Sequence, residues 1–321
     1  SDDIYSLYSL CWVGGAASSR DITLFNLAFT GGVAVACNCA VNCFYMISGY
    51  YINGDETFEN CKKRIKKVWI PTAIYSISIP LILVAMGEIS LNTKQIIYLF
   101  FPVLSNQYWF STVFIAVTLL LPFLGKLLKV LDRNYLMKLM IILLLIDCIQ
   151  PMLGCNAFSN IGYGLLHCIT MYVVGYVIKV EQTSIKKLYC AIIFTICVAL
   201  IGLITIVSIL SAGNRIRTIA DYNSPLMVIQ SIAFFLFFKE LKIKKVSFSK
   251  LSPYIFGVYL LNDNAYAREF LWQKVFHCRN FYESDFLPVH FIVTVIVFFV
   301  IALIIEYLRI NLWKVLRRIR K

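Results

Sequence analysis

Charged residues are scarce in this chain of 321 residues. Asp, Glu, Lys and Arg make up 15% of it, whereas a soluble domain of this size carries about 25%. The hydrophobic share is 60% and the mean hydropathy is +0.77, so the surface cannot be polar enough for water. The composition excludes a soluble enzyme, a nucleic-acid-binding domain and a disordered chain. It predicts an all-α polytopic membrane protein.

Motifs of soluble nucleotide, metal and serine enzymes are missing as well. No Walker loop, dinucleotide fingerprint, HExxH or GxSxG sequence occurs. The tight cluster Cys37, Cys39 and Cys43 has no neighbouring His, so we predict no metal site and expect these thiols to pack as small apolar groups. The net charge of +13 indicates no nucleic-acid partner, because the basic residues lie between apolar segments, where anionic lipid head groups attract them.

Nine segments have the length and apolar character of transmembrane helices, which need about 20 residues. The loops between them are short, and no separate soluble domain is visible, so we predict a single membrane-embedded domain over 1–321. Residues 89–107 form the longest connection on one side, with a pattern typical of a helix that lies at the membrane interface. The nine predicted spans are roughly 31–52, 68–88, 108–128, 137–154, 161–179, 188–211, 224–239, 252–272 and 287–307.

The basic residues are distributed unequally between the two sides of these spans. Of the 30 Lys and Arg residues, 23 lie in alternate loops and in the C-terminal tail, and 7 lie on the other side. The positive-inside rule therefore predicts a cytoplasmic C-terminus in the cell membrane. Nine spans would leave Ser1 outside without a secretory signal. Since the chain also starts without Met, we expect an N-terminally incomplete chain and ten helices in the full protein.

Polar residues within the spans are the candidates for function, because they are costly in a bilayer. Asn42 and Ser48 lie in the run 42–50, which is also compatible with a tight helix crossing at Gly49. His167 is the only His inside a span; it is either a general base or a hydrogen-bonding group between helices. Asp263 and its neighbours form the densest polar cluster, and Asp263 could pair with Arg268. The lone acids Asp147 and Glu306 need no functional role, because local pairing or snorkelling of the side chain accounts for each of them.

Two further features lie at the ends of predicted spans. The run 62–67 holds five cations, including Arg64, and it is either a topology signal or a clamp for phosphate, to which the guanidinium group offers planar, forked donors. Tyr108 and Trp109 begin a span, as residues of an aromatic belt do.

Taken in order, six stretches resemble the acyltransferase 3 family of bacterial integral membrane acyltransferases, and most closely its polysaccharide O-acetylase-like members. The resemblance covers about Thr30 to the C-terminus. No single motif is specific, but the ordered set with its spacing is. The stretches are NCFYMISGYYI, KKRIKKVWIP, YWFSTVFIAVTLLLPFL, ITMYVVGYVIK, NSPLMVIQSIAFFLFFKEL and SPYIFGVYLLND.

The resemblance implies transfer of an acyl group, often acetyl, from acyl-CoA to a hydroxyl of a glycan or lipid-linked sugar at the cell surface. It implies that acyl-CoA is a donor substrate, with no bound cofactor, and that Arg64 contacts the coenzyme A phosphates. Further candidates for substrate contact or oxyanion stabilisation are Asn42, Ser48, Tyr108, Trp109, Tyr172 and Asn262.

Two departures from the family pattern concern catalysis. The catalytic His expected on a first helix, and the Arg before it, are not in this sequence, which leaves His167 and Asp263 as substitutes. Asn262 stands where relatives often have His, and an amide cannot accept a proton in the working range. These departures favour the alternative that the chain is a membrane transporter or a subunit of glycan-export machinery. The Arg64 cluster favours the enzyme, since a carrier of neutral solutes has no need of a phosphate clamp.

Overall fold

A computed structural model describes residues 23–154, 158, 160–212, 217–241 and 251–319 of the chain. All regular structure within these ranges is helical. The numbered α-helices are α1 (Leu24–Tyr50), α2 (Phe58–Ala85), α3 (Thr93–Phe100), α4 (Trp109–Val130), α5 (Arg133–Leu144), α6 (Leu165–Val180), α7 (Lys187–Ala212), α8 (Pro225–Lys239), α9 (Ser252–Asn262), α10 (Ala265–Glu269) and α11 (Leu287–Ile319). Short helical turns lie at Leu145–Ile149, Gln150–Met152, Arg217–Ala220, Phe270–Val275 and Cys278–Phe281.

Length and composition make six of the described helical stretches candidates for membrane spans. They are Leu24–Tyr50, Phe58–Ala85, Trp109–Val130, Arg133–Met152, Lys187–Val207 and Leu287–Val315. Helices α6 and α8 are apolar but shorter, at 16 and 15 residues. Each coincides with a segment predicted from the sequence. The prediction of an all-α polytopic membrane protein is confirmed.

The segment predicted as one helix over 252–272 is interrupted. Helix α9 ends at Asn262 and α10 begins at Ala265. The side-chain oxygen of Asn264 accepts hydrogen bonds from the backbone N–H groups of Tyr266 and Ala267 at 3.1 and 3.0 Å. This N-cap starts a new helix where the hydropathy profile is continuous. A helix break at membrane depth is tolerated only where protein covers it, and Asp263 and Asn264 are buried.

Helix α3 falls in the connection that we predicted to lie at the membrane interface. Asn92 and Gln95 form a reciprocal capping box, in which each side chain accepts a hydrogen bond from the other residue's backbone N–H. Leu99 is buried, whereas Ile96, Ile97 and Phe100 are exposed. The helix and its apolar exposed face are confirmed, and its place at the interface stays a prediction.

The chain divides into two compact units. Unit A comprises Gly31–Trp69 and Trp109–Lys242. Its closest packing is a reciprocal crossing of α1 and α6. A Cβ atom on Gly49 would lie 2.7 Å from the carbonyl carbon of Tyr172, and one on Gly175 would lie 2.8 Å from the carbonyl carbon of Met46. Only glycine allows two backbones to approach this closely, so the tight helix crossing predicted for the run 42–50 is confirmed.

Unit B comprises Ser1–Thr30, Ile70–Tyr108 and Ile243–Lys321, of which the structure describes 23–30, 70–108 and 251–319. Helix α9 packs on α11, where Gly257 faces the side chain of Glu306. The Asn26 side-chain amide donates to the carbonyl oxygens of Tyr282 and Ser284, both at 2.9 Å. These bonds fasten the first turn of α1 to the segment that precedes α11.

Candidate functional site

Unit A contains a cavity of about 280 Å³ beside the C-terminal half of α1. Residues from four helices and from the α1–α2 loop line it, and three of them are residues that the sequence singled out. The full lining is Phe44, Ile47, Ser48, Tyr51, Ile52, Glu56, Arg64, Phe114, Leu121 and Tyr172. The structure therefore brings Ser48, Arg64 and Tyr172 to one place, although more than 100 residues separate Arg64 from Tyr172 in the chain.

Arg64 supplies a cation at the polar part of this cavity. It lies in the second turn of α2 and is solvent-exposed. Among the ion pairs in the described ranges, none involves Arg64 or the neighbouring Lys62, Lys63, Lys66 and Lys67. Glu56 lines the same cavity, but among the described residues no carboxylate is within ion-pair distance of the Arg64 guanidinium, so its forked donors are available for an anionic ligand such as a phosphate.

Ser48 and Tyr172 line the same cavity from α1 and α6. The Ser48 hydroxyl donates to the carbonyl oxygen of Phe44 at 3.0 Å within its own helix. Tyr172 is buried directly against Gly49, so the tight crossing places its side chain in the cavity wall. A ligand in the cavity would meet the Ser48 hydroxyl oxygen as an acceptor.

A second polar cluster in unit A is built around His167. Its Nδ1 lies 2.7 Å from Asp147 Oδ2, and its Nε2 lies 2.8 Å from Asn42 Oδ1. His167 is 1% exposed, and Asp147 and Asn42 are fully buried. Asp147 was predicted to need only snorkelling or a local partner; instead, it pairs with a residue on another helix. It lies in a π-helical turn, Leu145–Ile149, and such turns are frequent at functional sites.

The hydrogen-bond directions in this cluster follow from the amide of Asn42. Its Nδ2 donates to the carbonyl oxygen of Tyr222 at 2.9 Å, so its Oδ1 faces His167 as an acceptor. His167 Nε2 must then carry a proton, and Nδ1 shares one with the Asp147 carboxyl group. Both ring nitrogens are engaged, so neither has a free lone pair with which to take a proton from a substrate.

The loop 220–224 is held by amide side chains on several sides. Asn38 and Asn42, one turn apart on α1, donate to the carbonyl oxygens of Ala220 and Tyr222. Asn223 donates to the carbonyl oxygen of Asp147 at 2.7 Å. The His167 cluster therefore fastens this loop to α1 and to the π-helical turn. Sequence analysis identified Asn42 but missed Asn38 and Asn223, because nothing in a single sequence shows which backbone a side-chain amide will meet.

Tyr108 and Trp109 are buried, at 1% and 8% exposure, instead of facing lipid as belt residues would. In unit A, the Trp109 ring packs on Tyr163 and Tyr222 at centroid distances of 4.5 and 5.7 Å. Its indole N–H has no hydrogen-bond partner in the part of the chain that the structure covers. In an aromatic belt, the polar end of each side chain contacts water, so the aromatic-belt interpretation of this pair is wrong.

Unit B holds the polar cluster around Asp263. The Tyr259 hydroxyl donates to Asp263 Oδ2 at 2.8 Å, and Arg268 Nη2 lies 3.5 Å from Oδ1, as the predicted pairing requires. Asn264 Nδ2 donates to the Tyr108 hydroxyl oxygen at 2.7 Å. Asn262 is buried beside them, at 5% exposure. The Asp263 carboxylate is thus held by a hydroxyl donor and a cation.

Glu306 is a further buried acid in unit B. Arg309 binds its carboxylate with two hydrogen bonds of 2.6 and 2.7 Å, and the Tyr75 hydroxyl donates to it at 2.9 Å. The sequence signal for this pair was present, since Arg309 follows Glu306 by three residues and such residues are neighbours on a helix. The prediction of local pairing is confirmed, and the bond from Tyr75 is an addition.

Nine cysteines lie in the described ranges, and none of them forms a disulfide there. Cys37 is exposed and the other eight are buried. The packing role that we predicted for Cys37, Cys39 and Cys43 agrees with the burial of Cys39 and Cys43, whereas Cys37 is exposed. Within the same ranges, no group of three or more His, Cys, Asp or Glu side chains has the spacing to hold a metal ion.

A family model, described as an acyltransferase domain and belonging to the acyltransferase 3 family, matches residues 11–308. No curated protein and no solved structure matches the chain. The matched range includes the whole of unit A, the cavity, the His167 cluster and the Asp263 cluster, and it ends just before Arg309.

Proposed function

Because the chain belongs to the acyltransferase 3 family and is a membrane acyltransferase, we propose that it transfers an acyl group from acyl-CoA to a hydroxyl of a sugar. Acetyl is the group that the family resemblance implies, and the acceptor is a polysaccharide or lipid-linked sugar destined for the cell surface. The charge asymmetry supports a location in the cell membrane with the C-terminus on the cytoplasmic side. The run 62–67 belongs to the same basic side, so the Arg64 end of α2 would also face the cytoplasm.

The observation that carries this proposal is Arg64 in the wall of the cavity, outside every ion pair that the described residues form. Coenzyme A bears phosphate groups, and an arginine side chain offers them two parallel N–H donors. The positive charge of the four neighbouring lysines raises the local concentration of acyl-CoA, which is anionic. A cytoplasmic position would also place Arg64 in the compartment in which acyl-CoA is found.

The reaction itself exchanges a thioester for an ester. The acceptor oxygen bonds to the acyl carbon, the C–S bond breaks, and the hydroxyl proton goes to a base and finally to the coenzyme A thiolate. Negative charge develops on the carbonyl oxygen and requires hydrogen-bond donors. Of the candidates named from the sequence, Trp109 offers an indole N–H without a partner among the described residues, whereas the Asn42 amide already donates to Tyr222.

The two substitutes for the catalytic base are both engaged by other groups. His167 uses both ring nitrogens, and Asp263 is held by Tyr259 and Arg268. We propose that both act as structural groups, which position the loop 220–224 and the break after α9. His167 could act as a base only if an acceptor hydroxyl replaced Asn42 at Nε2.

Replacing Arg64 with alanine tests the donor site. We expect the apparent KM for acyl-CoA to rise about tenfold or more with kcat little changed, because a charge-assisted hydrogen bond contributes about 1.5–3 kcal/mol and about 1.4 kcal/mol is a factor of ten. Steady-state transfer to a sugar acceptor, measured with radiolabelled acetyl-CoA, gives both constants.

Two matched variants control for the loss of charge. Lys66→Ala removes a cation from the same run without touching the cavity wall, and we expect less than a threefold change in KM. Arg64→Lys keeps the charge but loses the forked geometry, and its KM should lie between those of the wild type and Arg64→Ala. If Arg64→Ala leaves both KM and kcat unchanged, the role assigned to Arg64 is wrong.

A further inference from the structure

Arg64 shares its cavity with one acid. Glu56, in the loop between α1 and α2, lines the same cavity of about 280 Å³, in which Arg64 is the only basic residue of the described lining. A carboxylate and a guanidinium group in one small space attract each other, and they favour a bidentate pair. The ion pairs among the described residues nevertheless include none between these two side chains. A pair would close Arg64 to phosphate, so the groups that hold Glu56 away from it decide whether the site is open.

The Glu56 carboxylate is held in the cavity wall by two contacts. Its Oε1 accepts a hydrogen bond from the backbone N–H of Asn53 at 3.1 Å. Its Oε2 lies against Gly125 of α4, where a Cβ atom on the glycine would be only 2.5 Å from this oxygen. A residue with any side chain at position 125 would therefore exclude the carboxylate from this position. The Asn53 N–H group and Gly125 together form a seat for the carboxylate.

The loop that carries Glu56 is fixed to two neighbouring helices. Lys179 of α6 donates to the carbonyl oxygen of Ile52 at 2.8 Å. Lys129 of α4 pairs with Asp55 at 2.8 Å, and it is not among the residues that line the cavity. These contacts hold the backbone on both sides of the seat. A displaced Glu56 carboxylate would therefore move by turning its side chain into the cavity.

The seat leaves one carboxylate oxygen unsatisfied. Glu56 Oε2 is buried and has no hydrogen-bond donor among the described residues. A buried acceptor without a donor is unfavourable and calls for an explanation, and a pair with Arg64 would supply the missing donors. The seat thus favours an accessible Arg64 over the most favourable hydrogen bonding of Glu56.

We propose that Gly125 is a positioning residue for the donor site. By leaving room for the Glu56 carboxylate in the wall, Gly125 keeps the Arg64 guanidinium open to the phosphate of the donor. This inference rests on the proposed function, since it takes the ligand of Arg64 to be the phosphate of acyl-CoA.

Gly125→Ala tests the inference directly. The new methyl carbon meets Glu56 Oε2 at 2.5 Å, whereas the nearest backbone atom, Gly54 Cα, is at 3.1 Å. Because the carboxylate ends a flexible side chain, it yields before the backbone does and turns towards Arg64. An occupied Arg64 lowers the apparent affinity by the fraction of protein that stays open, so we expect the KM for acyl-CoA to rise about fivefold or more. The kcat should change little, and the transfer assay described for Arg64 gives both constants.

Rescue by Glu56→Gln separates this role from a general distortion of the wall. The glutamine still offers an oxygen to the Asn53 N–H group but cannot form an ion pair with Arg64. Gly125→Ala combined with Glu56→Gln should therefore return KM to within about twofold of the value for Glu56→Gln alone. Glu59→Gln is the matched control, since Glu59 is exposed on α2 and does not line the cavity. Gly125→Ala combined with Glu59→Gln should keep the raised KM.

Three outcomes would overturn the inference. They are an unchanged KM in Gly125→Ala, a raised KM that Glu56→Gln does not rescue, and a Gly125→Ala protein that fails to fold, because the carboxylate and not the backbone must yield. In each case the proposed function stands if Arg64→Ala still raises KM. If Arg64→Ala leaves KM and kcat unchanged, the donor site itself is wrong, and the role of Gly125 falls with it.

Discussion

Replacing Gly175 with alanine should prevent α1 and α6 from closing into their crossing. The added methyl carbon would lie 2.8 Å from the carbonyl carbon of Met46, where a backbone group and not a flexible side chain blocks it. One helix must therefore move. Overpacking costs about 1–3 kcal/mol, occasionally more, when side chains can adjust, and here they cannot. We expect a loss of about 3 kcal/mol or more and little folded protein in detergent.

Gly49→Ala should have the same effect, because its methyl carbon would meet the backbone of Tyr172. Gly32→Ala in α1 and Gly202→Ala in α7 are matched controls, since among the described residues no atom beyond the adjacent backbone of the same helix lies within 4 Å of either new methyl carbon. Glycine within a helix is less stable than alanine by roughly 0.5–1 kcal/mol, so these controls should melt no earlier than the wild type. Thermal unfolding followed by size-exclusion chromatography measures all four. Equal melting of Gly175→Ala and Gly202→Ala would refute the close crossing.

Removing one partner of the His167–Asp147 pair should be the second most damaging change. His167→Phe leaves the buried Asp147 carboxyl group without its imidazole, and breaking a buried charged pair in this way costs about 3–5 kcal/mol. Asp147→Leu should be similarly destabilising. The double variant removes both polar groups in favour of apolar side chains of comparable size, which is often nearly neutral. We therefore expect it to be more stable than either single variant.

The same three variants decide whether His167 takes part in chemistry. Because both ring nitrogens are hydrogen-bonded, we expect the folded double variant to retain transfer within about tenfold of the wild type. A general base contributes about 10²–10⁴-fold to a rate. A folded double variant that loses transfer by a hundredfold or more would instead identify His167 as the base, with Asp147 as the group that orients it.

The class of protein follows from composition and hydropathy alone. Apolar segments of membrane length must become helices, because a bilayer offers no partner for exposed backbone groups. The same reasoning applies to the tight crossing, since Gly49 follows an apolar helical run that suits close packing. Arg64 could be named as a phosphate-binding candidate because cations at a span end are visible along one chain. Only the structure shows that none of the ion pairs among the described residues involves Arg64.

The tertiary structure decided which polar residues meet. His167 contacts Asn42 across 125 positions and Asp147 across 20, and no spacing rule connects such residues. The sequence also could not predict the burial of Tyr108 and Trp109 or the helix break after Asn262. Hydropathy describes how each residue prefers lipid or water along a single helix. A hydrogen bond between helices depends on which faces pack together and at what depth, and that is settled only when the helices assemble.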